Sequence, residues 1–284
     1  MSSPKPDLLS NPSSDFMAEW RPCVLIPTYD NPATIEAVVR GAREHAQDII
    51  VVDDGSGEEA RAVLEAIAEQ GLATVIHREK NGGKGAAVKT GFAAAIARGF
   101  THALQVDGDG QHDLGAIPRF LERSRRAPEA AIFGYPEYDE SAPALRMRAR
   151  KFTQLWVDLE GGEKRKIRDT MIGFRVYPLQ AIHHLRVRGD RMDFDIEIAV
   201  RIAWAGVPIV NLPISVRYLS AEEGGRSHFQ PFRDNFRFAL LHSRLCTIAS
   251  TRFCLRLLRL DRVFGRLFHR VFGSLLGRTL GEGS

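Results

Sequence analysis

Short, unbroken apolar runs recurring between helix-length stretches constrain this chain more than any other feature. Val24-Leu25-Ile26 comes first, followed by Ile49 to Val52, Thr74 to His77, Ala103 to Val106 and Ala130 to Phe133. Strands buried on both faces of a parallel sheet read as continuous apolar runs, whereas half-exposed strands alternate. Helical periodicity fills the gaps, at Ala33 to Ala46, Glu58 to Glu69, Ala86 to Arg98 and Leu114 to Arg125. The alternation predicts an α/β fold with a Rossmann-like, mostly parallel central sheet flanked by helices.

Beyond Phe133 the rhythm changes. Tyr135 to Pro143 reads as a loop and Ala144 to Glu160 as a basic helix; Met171 to Tyr177, Asp195 to Ala205 and Val207 to Tyr218 then read as strand, helix and strand. A single α/β core commonly takes about 200 to 250 residues. The 284 residues are therefore expected to hold one catalytic domain over residues 20–230 and a tail over 231–284. Residues 1–19 are rich in Ser, Pro, Asn and Asp and lack the basic and apolar regions of a signal peptide, so a disordered leader is expected. The three cysteines, Cys23, Cys246 and Cys254, are odd in number and without metal-ligand spacing. They fit a reducing, cytoplasmic setting better than a disulfide framework.

The tail repeats Leu, Phe and Arg at helical spacing, with Leu255, Leu258, Phe264, Leu267 and Phe268 set among Arg256, Arg259, Arg262 and Arg266. Such a basic amphipathic stripe either packs on the catalytic domain or lies on a membrane surface. No run of about 18 uninterrupted apolar residues is present, which argues against a membrane-crossing helix. The net charge of +4 leaves phosphates, anionic lipid and nucleic acid open, and the apolar repeat argues against nucleic acid.

Two of the strands end in acid. Ile49 to Val52 runs into Asp53-Asp54-Gly55-Ser56, and Ala103 to Val106 into Asp107-Gly108-Asp109-Gly110-Gln111. Ligands of open parallel sheets bind outside the carboxyl ends of the strands, so both clusters are candidates for one site. Asp107 and Asp109, spaced by glycine, can aim two hard oxygen ligands at one point, with Gln111 adding a third; this donor set suits Mg²⁺ or Mn²⁺. The first strand leads into Pro27-Thr28-Tyr29 rather than a G-x-G-x-x-G turn, which excludes a dinucleotide fingerprint there. Asn81-Gly82-Gly83-Lys84-Gly85 opens a helix and can contact a diphosphate, without the full P-loop spacing.

Taken in order, Pro27-Thr28-Tyr29, Val52-Asp53-Asp54-Gly55-Ser56, Asn81-Gly82-Gly83-Lys84-Gly85 and Asp107-Gly108-Asp109-Gly110-Gln111-His112 resemble glycosyltransferase family 2 over roughly residues 20 to 235. Within it they look like the dolichyl- or polyprenyl-phosphate mannosyltransferase branch. The resemblance implies the GT-A fold, a nucleotide-sugar donor, a divalent metal and inversion at the anomeric carbon. It puts Pro27, Tyr29, Asn31, Asp53, Lys84, Asp107 and Gly108 at the nucleotide sugar, and Asp107, Asp109 and Gln111 at the metal.

The segment Asp169-Thr170-Met171-Ile172-Gly173-Phe174-Arg175 is similar to the branch's Asp-x-Thr-Ser-Gly-Phe-Arg stretch and brings Arg175 to the acceptor. Met171-Ile172 stands where the branch has a hydroxyl pair, which points from a polyprenyl phosphate towards a lipid hydroxyl or another hydroxyl or carboxyl acceptor. Phe194-Asp195-Ile196-Glu197 resembles the acceptor-side helix, with Asp195 as first and Glu197 as second candidate for a general base. Arg217, with Gly224-Gly225-Arg226-Ser227-His228, matches in outline a loop closing over donor phosphates, so Ser227 and His228 join the donor set. Arg146 and Arg150, flanking Arg148 on the basic helix, are acceptor candidates by their spacing. His183-His184 reads as surface, and Trp156 and Trp204 as packing residues.

The expected protein is a metal-dependent, inverting glycosyltransferase, peripheral on the cytoplasmic face of a membrane, with a lipid-linked or membrane-associated acceptor. A nucleotidyltransferase and a non-catalytic membrane-surface scaffold are the rival readings.

Overall fold

The computed structural model describes residues 19–137, 153–160, 166–217 and 231–257. The chain alternates β1 (Pro22–Thr28), α1 (Ile35–Arg43), β2 (Ile49–Asp53), α2 (Glu58–Glu69), β3 (Thr74–His77), α3 (Lys84–Ala97), β4 (His102–Gln105), α4 (Ile117–Arg126) and β5 (Ala131–Glu137). After α5, helical at residues 153–160, come β6 (Arg175–Pro178), α6 (Leu179–Ile182), α7 (Asp193–Trp204), β7 (Ile209–Ser215) and α8 (Pro231–Leu257). The apolar runs form strands because both of their faces are covered: all five residues of β2 are buried.

The strands make one seven-stranded sheet in the order β3-β2-β1-β4-β6-β5-β7. Every pairing is parallel except those of β6, which runs against both β4 and β5. Side chains alternate across a strand, so neighbouring residues enter different cores. Leu25, Ile50 and Val52 pack with α3 and α7 on one face, while Val24, Ile26, Ile49 and Val51 pack with α1 and α4 on the other.

Two expected boundaries move. The strand foreseen from Met171 starts only at Arg175, because Asp169 Oδ1 accepts the N–H groups of Met171 and Ile172 at 2.7 and 2.8 Å and folds that stretch into a turn. The loop foreseen from Tyr135 is strand as far as Glu137, held by parallel pairing with β7 through Ser215. The tail starts as α8, whose Phe238, Leu241 and Leu245 enter the core beside Ile198 and Ile202 of α7. Leu258 and the Phe and Arg repeat beyond it lie outside the described residues, as do residues 1–18.

Candidate active site

The carboxyl ends of β1, β2 and β4 open into a cleft of about 1300 Å³ whose opposite wall is α5 and α8. Pro27, Thr28, Tyr29, Asn31, Lys84, Asp107, Gly108, Asp109, Gln111 and Asp195 all line it. Residues separated by up to 168 positions in sequence thus meet in one place, as the strand-end argument required.

At the centre stands Lys84, at the first position of α3. Its Nζ lies 2.8 Å from Asp107 Oδ1 and 2.9 Å from Asp195 Oδ2. Burial opposes the charge on Lys84, but Asp107 and Asp195 outweigh it and push the pKa up. Burial likewise works against the Asp107 carboxylate, and Lys84 followed by His112 more than offset it, holding Asp107 below the usual range. This close pairing needs Gly173 in the turn after Asp169, since a Cβ there would collide with the Asp107 carboxylate and the Lys84 ammonium.

Asp109 behaves differently. Burial and then repulsion from Asp107 raise its pKa, and Oδ1 accepts the Gln111 N–H at 3.1 Å. Two crowded carboxylates, one of them destabilised by the other, are what a divalent cation relieves. The donor set therefore fits Mg²⁺ or Mn²⁺, held by Asp107 and Asp109 with Gln111 beside them. Among the described residues, no three His, Cys, Asp or Glu side chains converge as a metal site. Two carboxylates alone would leave coordination positions for phosphate oxygens.

The loops from β1 and β2 are stitched together. Asp30 adopts φ of +49°, its N–H donates to Ser56 Oγ at 2.9 Å, and its Oδ1 accepts the Gly57 N–H at 2.7 Å. Asn31 donates through Nδ2 to Thr28 Oγ1 at 3.3 Å. The Gly108 carbonyl accepts Thr34 Oγ1–H at 2.8 Å, fixing the acidic turn against α1.

Three sequence candidates are corrected. Asp53 is fully buried, accepting the Ser56 N–H at 2.9 Å and pairing with His77 at 2.8 Å, and does not line the cleft. Its neighbour Asp54 lines the cleft instead, accepting the N–H groups of Gly82 and Gly83 and pairing with Arg78. Glu197 does not line the cleft: it is fully buried and bonded to the N–H groups of Arg188 and Gly189 and to Arg201 and Arg244. Successive helix positions face different ways, and only Asp195 points into the cleft. Arg175, fully buried, donates to the Asp195 carbonyl at 2.8 Å and lies over the Phe133 ring, so it braces the start of α7 and does not reach an acceptor.

Arg217 sits at the rim, its N–H donating to the Gln111 carbonyl at 3.0 Å. Arg146, Arg150, Ser227 and His228 lie outside the described residues. His183 and His184 are exposed, as read. Trp156, read as packing, lines the cleft. Sequence reasoning also missed Arg191 and Met192, which line it from the loop before α7. Their only signal was proximity to Asp195.

The family model "Glycosyl transferase family 2" matches residues 23–185. An undecaprenyl-phosphate mannosyltransferase from Micrococcus luteus is 26% identical, covering 69% of this chain and 83% of that protein. A polyprenol monophosphomannose synthase from Mycolicibacterium smegmatis is also 26% identical, covering 69% and 77%. Glucosyl-3-phosphoglycerate synthase from Mycobacterium tuberculosis, solved with Mn²⁺, uridine diphosphate and glucosyl-3-phosphoglycerate, superposes with a TM-score of 0.60 at 16% identity, covering 82% of this chain and 80% of that one. The Asp107–Asp109 turn and Lys84 at the strand ends thus sit in a sheet shared with a glycosyltransferase of known structure, and the chain belongs to glycosyltransferase family 2.

Proposed function

We propose that this protein moves a sugar from a nucleoside diphosphate donor to the phosphate of a membrane-held polyprenyl-type lipid, with inversion and with Mg²⁺ or Mn²⁺. The observation that carries the reading is the single cleft in which Lys84, Asp107, Asp109 and Asp195 converge. The relatives from Micrococcus and Mycolicibacterium are named for polyprenyl phosphates, which supports a lipid phosphate over the hydroxyl or carboxyl acceptor suggested by Met171-Ile172. The turn there presents apolar side chains, and cationic groups elsewhere in the cleft, such as Arg191 and Arg233, are suited to an anionic head. The structural neighbour solved with Mn²⁺ and uridine diphosphate supports a divalent ion.

In this reading the nucleoside lies against Pro27 and Tyr29, and the diphosphate between Lys84 and the Asp107–Asp109 turn. The metal, when bound, neutralises charge building on the departing diphosphate. Lys84 adds a fixed positive charge at the same place, desolvated and already oriented. Asp195 aims that ammonium. An ionised phosphate nucleophile needs no base, so Asp195 would take a proton only from a hydroxyl acceptor. The arrangement allows one in-line displacement, the acceptor entering from the side of α5 and α8.

Those two helices also carry the membrane contact in this reading. Leu155 and Leu159 of α5 and Phe236, Leu240 and Phe253 of α8 are between 56 and 66% exposed. Among the described residues the only other large apolar side chain so exposed is Ile96, so the patch is confined to the acceptor side. Apolar exposure of this extent marks an interaction surface. Among the described residues no helix is long and apolar enough to cross a membrane, and the three cysteines are free, in keeping with a peripheral place on a cytoplasmic face.

The test is thermal stability of the purified protein against UDP, GDP, CDP and TDP, with and without Mn²⁺. A metal-dependent rise with one nucleotide, abolished in Asp109→Ala, is expected. A folded protein indifferent to all four would instead favour a non-catalytic scaffold.

A further inference from the structure

In the reading above a nucleotide sugar takes the sheet end of the cleft, and the other end holds a second cluster of polar groups. Glu160, on α5, has a side chain with no solvent exposure. Its Oε1 lies 2.8 Å from His242 Nδ1 on α8, and Oε2 has no hydrogen-bond partner among the described residues. Trp156, one turn before Glu160, stacks on the His242 ring with centroids 6.0 Å apart and planes at 28°. Trp156 and His242 both line the cleft, while Glu160 lies behind them.

A buried carboxylate without a compensating charge is expensive, and among the described residues the groups touching this one are the His242 imidazole and, at 3.6 Å, the Cys246 thiol. An ionised carboxylate accepts and cannot donate, so Nδ1 carries the hydrogen of that bond. The other ring nitrogen, Nε2, lies on the opposite edge of a ring that Trp156 holds in one plane. With Nδ1 held by Glu160, the Nε2 edge of His242 is the one left to meet a ligand in the cleft. Arg233 and Arg237, earlier on the same helix, line the same end.

We propose that His242, oriented by Glu160, is an acceptor-binding residue that hydrogen-bonds the acceptor's phosphate through Nε2. This rests on the reading of the cleft as a sugar-transfer site and adds a specific contact to it. The chemistry recognised is a phosphomonoester oxyanion, which a membrane lipid or a small soluble phosphate ester could supply.

The experiment measures transfer by the full chain from its donor sugar nucleotide to polyprenyl phosphate in phosphatidylcholine vesicles and to soluble 3-phosphoglycerate. His242→Gln and Glu160→Gln are compared with wild type, each checked for the diphosphate-dependent rise in Tm. A hydrogen bond to a charged group predicts an acceptor KM raised at least about tenfold in His242→Gln, a smaller rise in Glu160→Gln, and an unchanged Tm rise with diphosphate. The arm that loses KM names the source of the phosphate. An unchanged KM in both arms where wild type is active would overturn the subsite while leaving the donor reading intact. A KM rise matched by equal loss of diphosphate binding would also overturn it, as a structural role. If wild type binds no diphosphate and transfers to neither acceptor, the proposed function itself fails and the subsite with it.

Discussion

The two ends of the cleft are built by different means. The sheet end is assembled from turns that follow buried strands, and its charged groups are paired at 2.8 to 3.0 Å in a closed set of Lys84, Asp107 and Asp195. The helix end is a wall of two helices whose inner side carries Trp156 and His242 and whose outer side exposes Leu155, Leu159, Phe236 and Leu240. A rigid sheet edge suits a ligand whose diphosphate must be held in one geometry, as preorganised electrostatics demand. A pair of amphipathic helices suits a ligand that arrives attached to a surface. Under the proposed function, the donor and the membrane-held acceptor would be read by two architectures that meet at Asp195.

The strongest way to break the comparison is to cut the tie between the ends. Glu197→Leu leaves Arg201, Arg244 and two backbone N–H groups without their carboxylate. Unfolding free energy should fall by about 3 kcal/mol, read by urea denaturation. An effect within about 0.5 kcal/mol, the range of ordinary surface substitutions, would mean that the ends are independent.

Next in size, Gly173→Ala forces a methyl group into the Asp107–Lys84 pair. Overpacking of this kind costs about 1–3 kcal/mol. Diphosphate binding should weaken with it, as a thermal-shift titration would record, whereas vesicle binding should not change. A smaller effect separates the acids. The folded-state pKa of Asp109 is raised by burial and by Asp107, so in the metal-free protein its proton is bound more tightly when folded than when unfolded. Stability contributed by that proton is present at low pH and lost as pH rises through the folded-state value. Asp109→Asn should accordingly melt higher than wild type at neutral pH without metal. The advantage should vanish below the ordinary aspartate range.

The smallest change in stability should come from the outer wall. Leu155, Leu159, Phe236 and Leu240 replaced together by Ser should each alter stability by no more than about 0.5 kcal/mol. Cosedimentation with anionic vesicles should fall steeply all the same. Retained sedimentation would move the membrane contact elsewhere.

The same division explains what could be read in advance. Strand runs, acidic strand ends and the glycine turn before α3 are local patterns with a physical cause, and Lys84, Asp107 and Asp109 emerged from them. Asp53 and Asp54 are adjacent and chemically equal, and which one faces the cleft depends on how the loop after β2 is tied to Asp30 and His77. That Arg175 and Glu197 are buried off the cleft could not be read in advance, because their burial is decided by β6 reversing direction and by α8 closing over α7, neither of which leaves a mark in the neighbouring sequence. His242 was invisible for a related reason: its partner Glu160 is 82 positions away.

Glu197 has one more consequence. A single oxygen, Oε2, accepts from Arg188 and Gly189 while contacting Arg244 of α8 at 2.7 Å. The loop those N–H groups belong to continues to Asp190, whose carbonyl accepts the Ala86 N–H at 2.9 Å in the first turn of α3, two residues from Lys84. The position of α8 is thereby tied by a chain of short bonds to the first turn of α3, which carries Lys84.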